Sequence, residues 1–141
     1  MSDNPTRPGT TIGQLAPPEL APGPGYSHVV TADPPHRLVV ISGQIALDSS
    51  GELVGPGDLA AQTRQVFTNL RHALAAAGAG WEHVLKLSYF VRDVTQVPLV
   101  RAVRDEFLPD GVRPASTLVE VSALFRDDLL IEVEALAAVP T

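Results

Sequence analysis

Hydrophobic and polar positions divide the chain into short aliphatic runs and two helically periodic stretches. "YSHVV" (26–30) predicts a short strand, and "DPPHR" (33–37) a turn. "LVVISG" (38–43) is β-branched and short, a buried strand that "QIAL" (44–47) continues, with Gly43 allowing a bend or bulge. Asp58 is a candidate helix N-cap. Val66, Leu70, Ala73, Leu74 and Ala77 then fall on one face of a helix from about Leu59 to Ala77, closed by Gly78. "VLKLSYFV" (84–91) is a strand, apolar on both faces apart from Lys86 and Ser88. Thr95 is the expected cap of a second helix, with Pro98 in its first turn and Val100, Val103 and Phe107 on its inner face; Pro109 and Gly111 end it. Two strands close the chain, one in "RPASTLVEV" (113–121) and one in "LLIEVEALAAV" (129–139).

The order β-β-α-β-α-β-β predicts an α+β domain: a mixed sheet with both helices on one face. Val39, Ile41, Leu85, Leu87, Ile131 and Val133 suggest more apolar strand surface than two helices can bury, and a symmetric homo-oligomer is the expected cover. The domain runs over 26–141. Residues 1–25 hold six of the 13 prolines and few large apolar side chains, so the expectation there is a flexible or extended arm that buries little.

Composition narrows the function. The 141 residues suffice for one core, and a net charge of −6 without basic clusters argues against nucleic acid as the main partner. The absence of cysteine removes disulfide and thiolate chemistry. No apolar run approaches the ~20 residues of a membrane span, and the N-terminus does not read as a signal peptide, so a soluble cytoplasmic protein is expected. His28, His36, His72 and His83 show no metal-ligand spacing. Proline interrupts "PGPGY" (22–26) and "VGPGD", removing N–H groups that a phosphate cradle needs, and no G-x-S-x-G elbow is present.

Carboxylates on strands remain. Glu132 and Glu134 lie two apart and share a face, opposite Ile131, Val133 and Ala135. On a solvated edge they are ordinary surface; buried, a carboxyl there can hold water or shuttle a proton. Tyr26, after "GPG", is by pattern a packing residue with its hydroxyl at the surface.

Four segments together resemble the RidA family of reactive-intermediate deaminases, also called YjgF: "GYSH" (25–28), "VVISGQIALDSSGELV" (39–54), "QTRQVFTNLRHALAAAGAGWEHVLKLSYFVRDV" (62–94) and "RPASTLVEVSALFRDDLLIEVEALA" (113–137). The resemblance implies a chorismate-mutase-like homotrimer with a central barrel of sheets, helices outside, and sites in the clefts between subunits. It implies hydrolysis of small enamines and imines to carbonyl compounds and ammonia, with neither cofactor nor metal. Within that pattern Tyr26 lines the cleft, and Ser42 and Gly43 are the small pair whose backbone approaches the ligand. Glu132 positions the attacking water, while Glu120 and Glu134 are structural. One departure stands out. Where the family reads P-A-R-S, this chain has Ser116 in place of the arginine that holds the substrate carboxylate, and Leu118 stands where a cysteine is common. Serine cannot make a bidentate, charge-assisted contact. Arg101, at a family asparagine position near the cleft, is the preferred substitute; Arg113, three residues before Ser116, is expected on the opposite face. Two functions follow: hydrolysis of a non-standard imine or enamine, or non-enzymatic binding of a small ligand or partner in the same clefts. An endoribonuclease, a third label for this family, is the weakest reading for an acidic chain.

Overall fold

The computed structural model describes residues 6–141. Its elements are β1 (Ile12–Leu15), β2 (Val29–Ala32), β3 (His36–Gln44), α1 (Leu59–Ala76), β4 (Val84–Val91), α2 (Val97–Phe107), β5 (Ala115–Glu120) and β6 (Ile131–Pro140), with 3₁₀ turns at Trp81–His83 and Val94–Gln96. β3, β6, β4 and β5 form one sheet in that order, while β1 and β2 pair separately and antiparallel. β6 is antiparallel to both neighbours, and β5 runs parallel to β4 after the α2 crossover, which makes the sheet mixed.

α1 begins where expected: the Asp58 carboxylate accepts from the Ala61 N–H at 3.0 Å. It ends at Ala77, and Gly78 follows with φ +72°. Its buried stripe comprises Leu59, Gln62, Thr63, Val66, Phe67, Leu70 and Leu74. Phe67 is fully buried and lies 5.6 Å from the Trp81 ring, 5.5 Å from Phe107 and 6.3 Å from Tyr89, centroid to centroid. One aromatic therefore joins α1, α2 and β4. The buried Gln62 amide donates to the carbonyls of Gly55 and Asp128 and accepts from the Leu130 N–H, tying the loop before β6 to α1.

Three expectations need correction. The cap before α2 is Asp93 rather than Thr95: its carboxylate accepts from the Thr95 N–H and hydroxyl and from the Gln96 amide, closing the 3₁₀ turn that leads into the helix. An aspartate reaches several donors at once, and these bonds hold its pKa below the usual carboxylate range. Second, the aliphatics taken as surplus sheet surface are mostly core. Val39, Ile41, Leu87, Ile131 and Val133 lie under the helices, whereas Leu38 (59% exposed), Val40 (71%), Val119 and Leu136 populate the helix-free face, with Phe90 partly covered among them. Both phases of β3 are aliphatic, so alternation alone does not show which one faces in. An uncovered apolar face exists, but on the neighbouring residues.

Third, part of the expected loose arm is packed. Ile12 is fully buried in β1, and Arg7 is 3% exposed. The Arg7 guanidinium donates to the carbonyls of Glu82 and Val84 and to the Gln14 side chain, and burial lowers its pKa to about 10. Gln14 in turn accepts from the Arg113 N–H and donates to the Gly111 carbonyl, which fixes the approach to β5. Proline density hid one isoleucine and one arginine, which suffice to dock the segment. Ile12→Ala is expected to cost about 2–4 kcal/mol in denaturant unfolding. An unpacked arm would give a change within about 0.5 kcal/mol.

Candidate functional site

Tyr26 is placed by contacts at both ends of its segment. The Ser27 N–H donates to the Pro114 carbonyl at 3.2 Å, stitching the segment to the start of β5. The Tyr26 ring meets His28 edge-on at 5.3 Å, and His28 hydrogen-bonds the Ala21 carbonyl. The glycines of "PGPGY" (22–26) create the space. A Cβ on Gly23 would lie 2.7 Å from the Tyr26 ring. Gly25 has φ +76°, and a Cβ on it would lie 2.6 Å from Arg104 Nη2. Glycine thus serves close approach of side chains here, a role that its proline-interrupted spacing did not disclose.

Tyr26, Pro24, Tyr89, Val100, Arg101, Arg104, Ser116 and Leu118 together line a cavity of about 200 Å³. β5 supplies Ser116 and Leu118 on the face they share with their partners Leu87 and Tyr89 of β4. α2 supplies Val100, Arg101 and Arg104, which sit one turn apart along one side of the helix. Arg101 is exposed and rims the cavity, whereas Arg104 retains only 13% side-chain exposure. Burial pushes the Tyr89 phenol well above its ordinary value, and the Arg104 charge beside it pulls the other way. Arg113 is exposed and does not line this cavity. Pro24, Tyr89, Val100 and Arg104 are the lining residues that sequence reasoning did not assign to a site. The available signal for Arg104 was its position three residues after Arg101; Tyr89 read only as part of an apolar strand.

The remaining predicted residues gather elsewhere. Glu132 pairs with Phe90 across β4 and β6 and shares its face, the one without helices. The β3–β6 register shifts between Ile41 and Gln44, so the bulge expected at Gly43 is present. The Glu132 carboxyl packs on that bulge: a Cβ on Gly43 would lie 2.7 Å from its carboxyl carbon. Ser42 is exposed beside it. Ser42, Gly43 and Glu132 therefore form one group and Tyr26, Arg101, Ser116 and Leu118 another, on opposite faces of the sheet. Glu120 accepts from the Val94 N–H at 3.0 Å and serves the turn before α2, while Glu134 is exposed opposite Ser88. Among the described residues no cluster of three or more histidine, aspartate or glutamate side chains is placed to hold a metal ion, and no helix is long and apolar enough to cross a membrane.

Comparison with known proteins places this geometry in a context. The family described as Endoribonuclease L-PSP matches residues 17–139. The 3-aminoacrylate deaminase RutC of Acinetobacter baylyi is 37% identical over 123 residues, 87% of this chain and 91% of that protein. The mouse 2-iminobutanoate/2-iminopropanoate deaminase is 35% identical over 113 residues, 79% of each chain. The crystal structure of YyfB, a Rid-family protein from Yersinia pestis, superposes with a TM-score of 0.81 at 34% identity, covering 92% of this chain and all of that one.

Gly25→Ala should force a strained φ and displace the Arg104 guanidinium, lowering stability by about 1–2 kcal/mol in thermal or denaturant unfolding. The Tyr89 environment makes a separate prediction. Its raised folded-state pKa means that its contribution is intact below about pH 10 and is lost as pH rises above that value. Tyr89→Phe should flatten this alkaline limb of the stability profile, measured as melting temperature against pH.

Proposed function

The chain belongs to the RidA (L-PSP) family, and we propose on that premise that it hydrolyses a small imine or enamine to a carbonyl compound and ammonia in clefts between subunits of a homotrimer. The observation that carries this reading is the division of the site. Glu132, on its glycine bulge, borders an apolar sheet face that none of the described residues covers, while the cavity of Tyr26 and Ser116 opens beside α2. A neighbouring copy docked on the helix-free face would cover Leu38, Val40 and Leu136 and bring its own cavity rim towards Glu132. Three copies closing a barrel would form three such clefts. The names of the two deaminase relatives support the reaction class, and a cytoplasmic setting is part of the same reading.

The chemistry needs few groups. An enamine tautomerises to the imine, which reacts as its N-protonated iminium, and the iminium carbon is the electrophile. The Glu132 carboxylate takes a proton as the water oxygen bonds to that carbon, giving a carbinolamine. The same carboxyl returns the proton to nitrogen, and as the C–N bond breaks and ammonia leaves, the hydroxyl proton passes to the carboxylate and the carbonyl forms. Tyr26 and the Ser42–Gly43 backbone shape the cleft. Ser116 in place of the family arginine favours a second reading, a trimer that binds ligands without turning them over.

Two experiments test the proposal. Glu132→Gln should slow hydrolysis of imines generated in situ by an amino-acid oxidase by at least about 100-fold. If the wild-type protein accelerates the loss of no imine, aliphatic or aromatic, the binding reading replaces the enzymatic one. Sedimentation should show three copies for wild type and single subunits for Val40→Asp, which puts a charge on the apolar face at its most exposed aliphatic.

A further inference from the structure

We infer that Arg104 is the oxyanion anchor of this site, and that its ligands are small organic carboxylates held from the helix side of the cleft. The inference rests on the reading above for the reaction, but its own ground is separate. Ser116 cannot supply a cation, yet the cavity it lines does not lack one: the Arg104 guanidinium forms part of the same wall. The side chain is held in place on three sides. It packs on the Gly25 backbone so closely that only glycine fits there. It lies beside the buried Tyr89 hydroxyl. From outside, Asp105 Oδ1 accepts from Nε and lies 3.0 Å from Nη2.

The Asp105 contact orients the group without cancelling it. Asp105 is 67% exposed, and a pair with so solvated a carboxylate carries little attraction. A guanidinium has five N–H donors; Nε–H goes to Asp105 and the Tyr89 hydroxyl lies beside the group, which leaves donors for a planar anion. Restricted side-chain freedom also lowers the entropic cost of holding a ligand. Arg101, exposed on the same side of α2, adds positive potential at the mouth but lacks such packing. A cavity of about 200 Å³ matches a ligand of a few heavy atoms rather than a nucleotide. The anchor has moved from strand to helix, so the carboxylate enters from the α2 side with the reacting carbon directed away from it.

Calorimetric titration with pyruvate, acetone and inorganic phosphate tests this without turnover. Wild type should bind pyruvate, with acetone and phosphate each at least about tenfold weaker. Arg104→Met should weaken pyruvate binding roughly ten- to a hundredfold, and Arg104→Lys, which keeps charge but loses the planar fork, should fall between. Combining Arg104→Met with Ser116→Arg should restore binding, which a purely structural Arg104 would not allow. If Arg104→Met does not fold, Arg104→Lys carries the comparison. Equal pyruvate affinity in wild type and the Arg104 variants, equal binding of acetone and pyruvate by wild type, or a preference for phosphate would overturn the inference. The imine assay remains independent. Carboxylate binding that depends on Arg104 in a protein without hydrolysis would retain the anchor and remove the proposed reaction; hydrolysis with binding indifferent to Arg104 would do the reverse.

Discussion

Successive side chains on a strand point to opposite faces, and that constraint governs everything this protein can do. Along β6 it sends Ile131, Val133, Ala135 and Ala137 under the helices and Glu132 and Glu134 to the other side. Along β4 it sends Leu87, Tyr89 and Val91 inward and Phe90 outward, next to Glu132. Because β5 is in register with β4, Ser116 and Leu118 follow Leu87 and Tyr89. The carboxylate and the cavity are separated by the thickness of the sheet within one subunit. Chemistry that uses both requires a second copy.

The helix-covered face is rigid for an identifiable reason. Phe67 fills the junction of α1, α2 and β4 with Trp81, Phe107 and Tyr89 around it, so α2 cannot shift without opening the aromatic cluster. Arg104 lies on that helix, one turn before its end, and inherits the rigidity. The loop carrying Tyr26 is weaker in its own right, rich in proline and glycine, but it is pinned by the bond from Ser27 to Pro114 and by the packed hairpin of β1 and β2. Arg7 and Gln14 extend the pinning to β4 and to the approach to β5. Residues 6–15 thus tie the start of β4 to the approach to β5, the strand that carries Ser116 and Leu118.

Ser116 brings no charge to the cavity it lines. The positive groups there are Arg101 and Arg104, which share a side of α2. A cation held by the Gly25 backbone on one side and a phenol on the other keeps its geometry when the cleft is empty, which is the condition for orienting a small ligand.

Much of this was legible in the sequence. Periodicity located α1 with its Asp58 cap, the whole of β4, the bulge at Gly43, and the order of elements from β2 onward, because each is set by local spacing and backbone preference. The motif order also identified the family, and Tyr26, Ser116, Leu118 and Arg101 did converge on one cavity. Three things were not legible. Which phase of β3 faces the core depends on the partner surface, since Leu38–Val40 and Val39–Ile41 are equally apolar. The docking of Ile12 and Arg7 depends on carbonyls more than 70 residues away. The placement of Arg104 on α2 depends on a glycine some 80 positions earlier in the chain and a tyrosine on β4. Local sequence determines elements because hydrogen bonding and side-chain alternation act over a few residues; only the tertiary fold decides which distant groups share a cavity, because that contact is made by packing between elements.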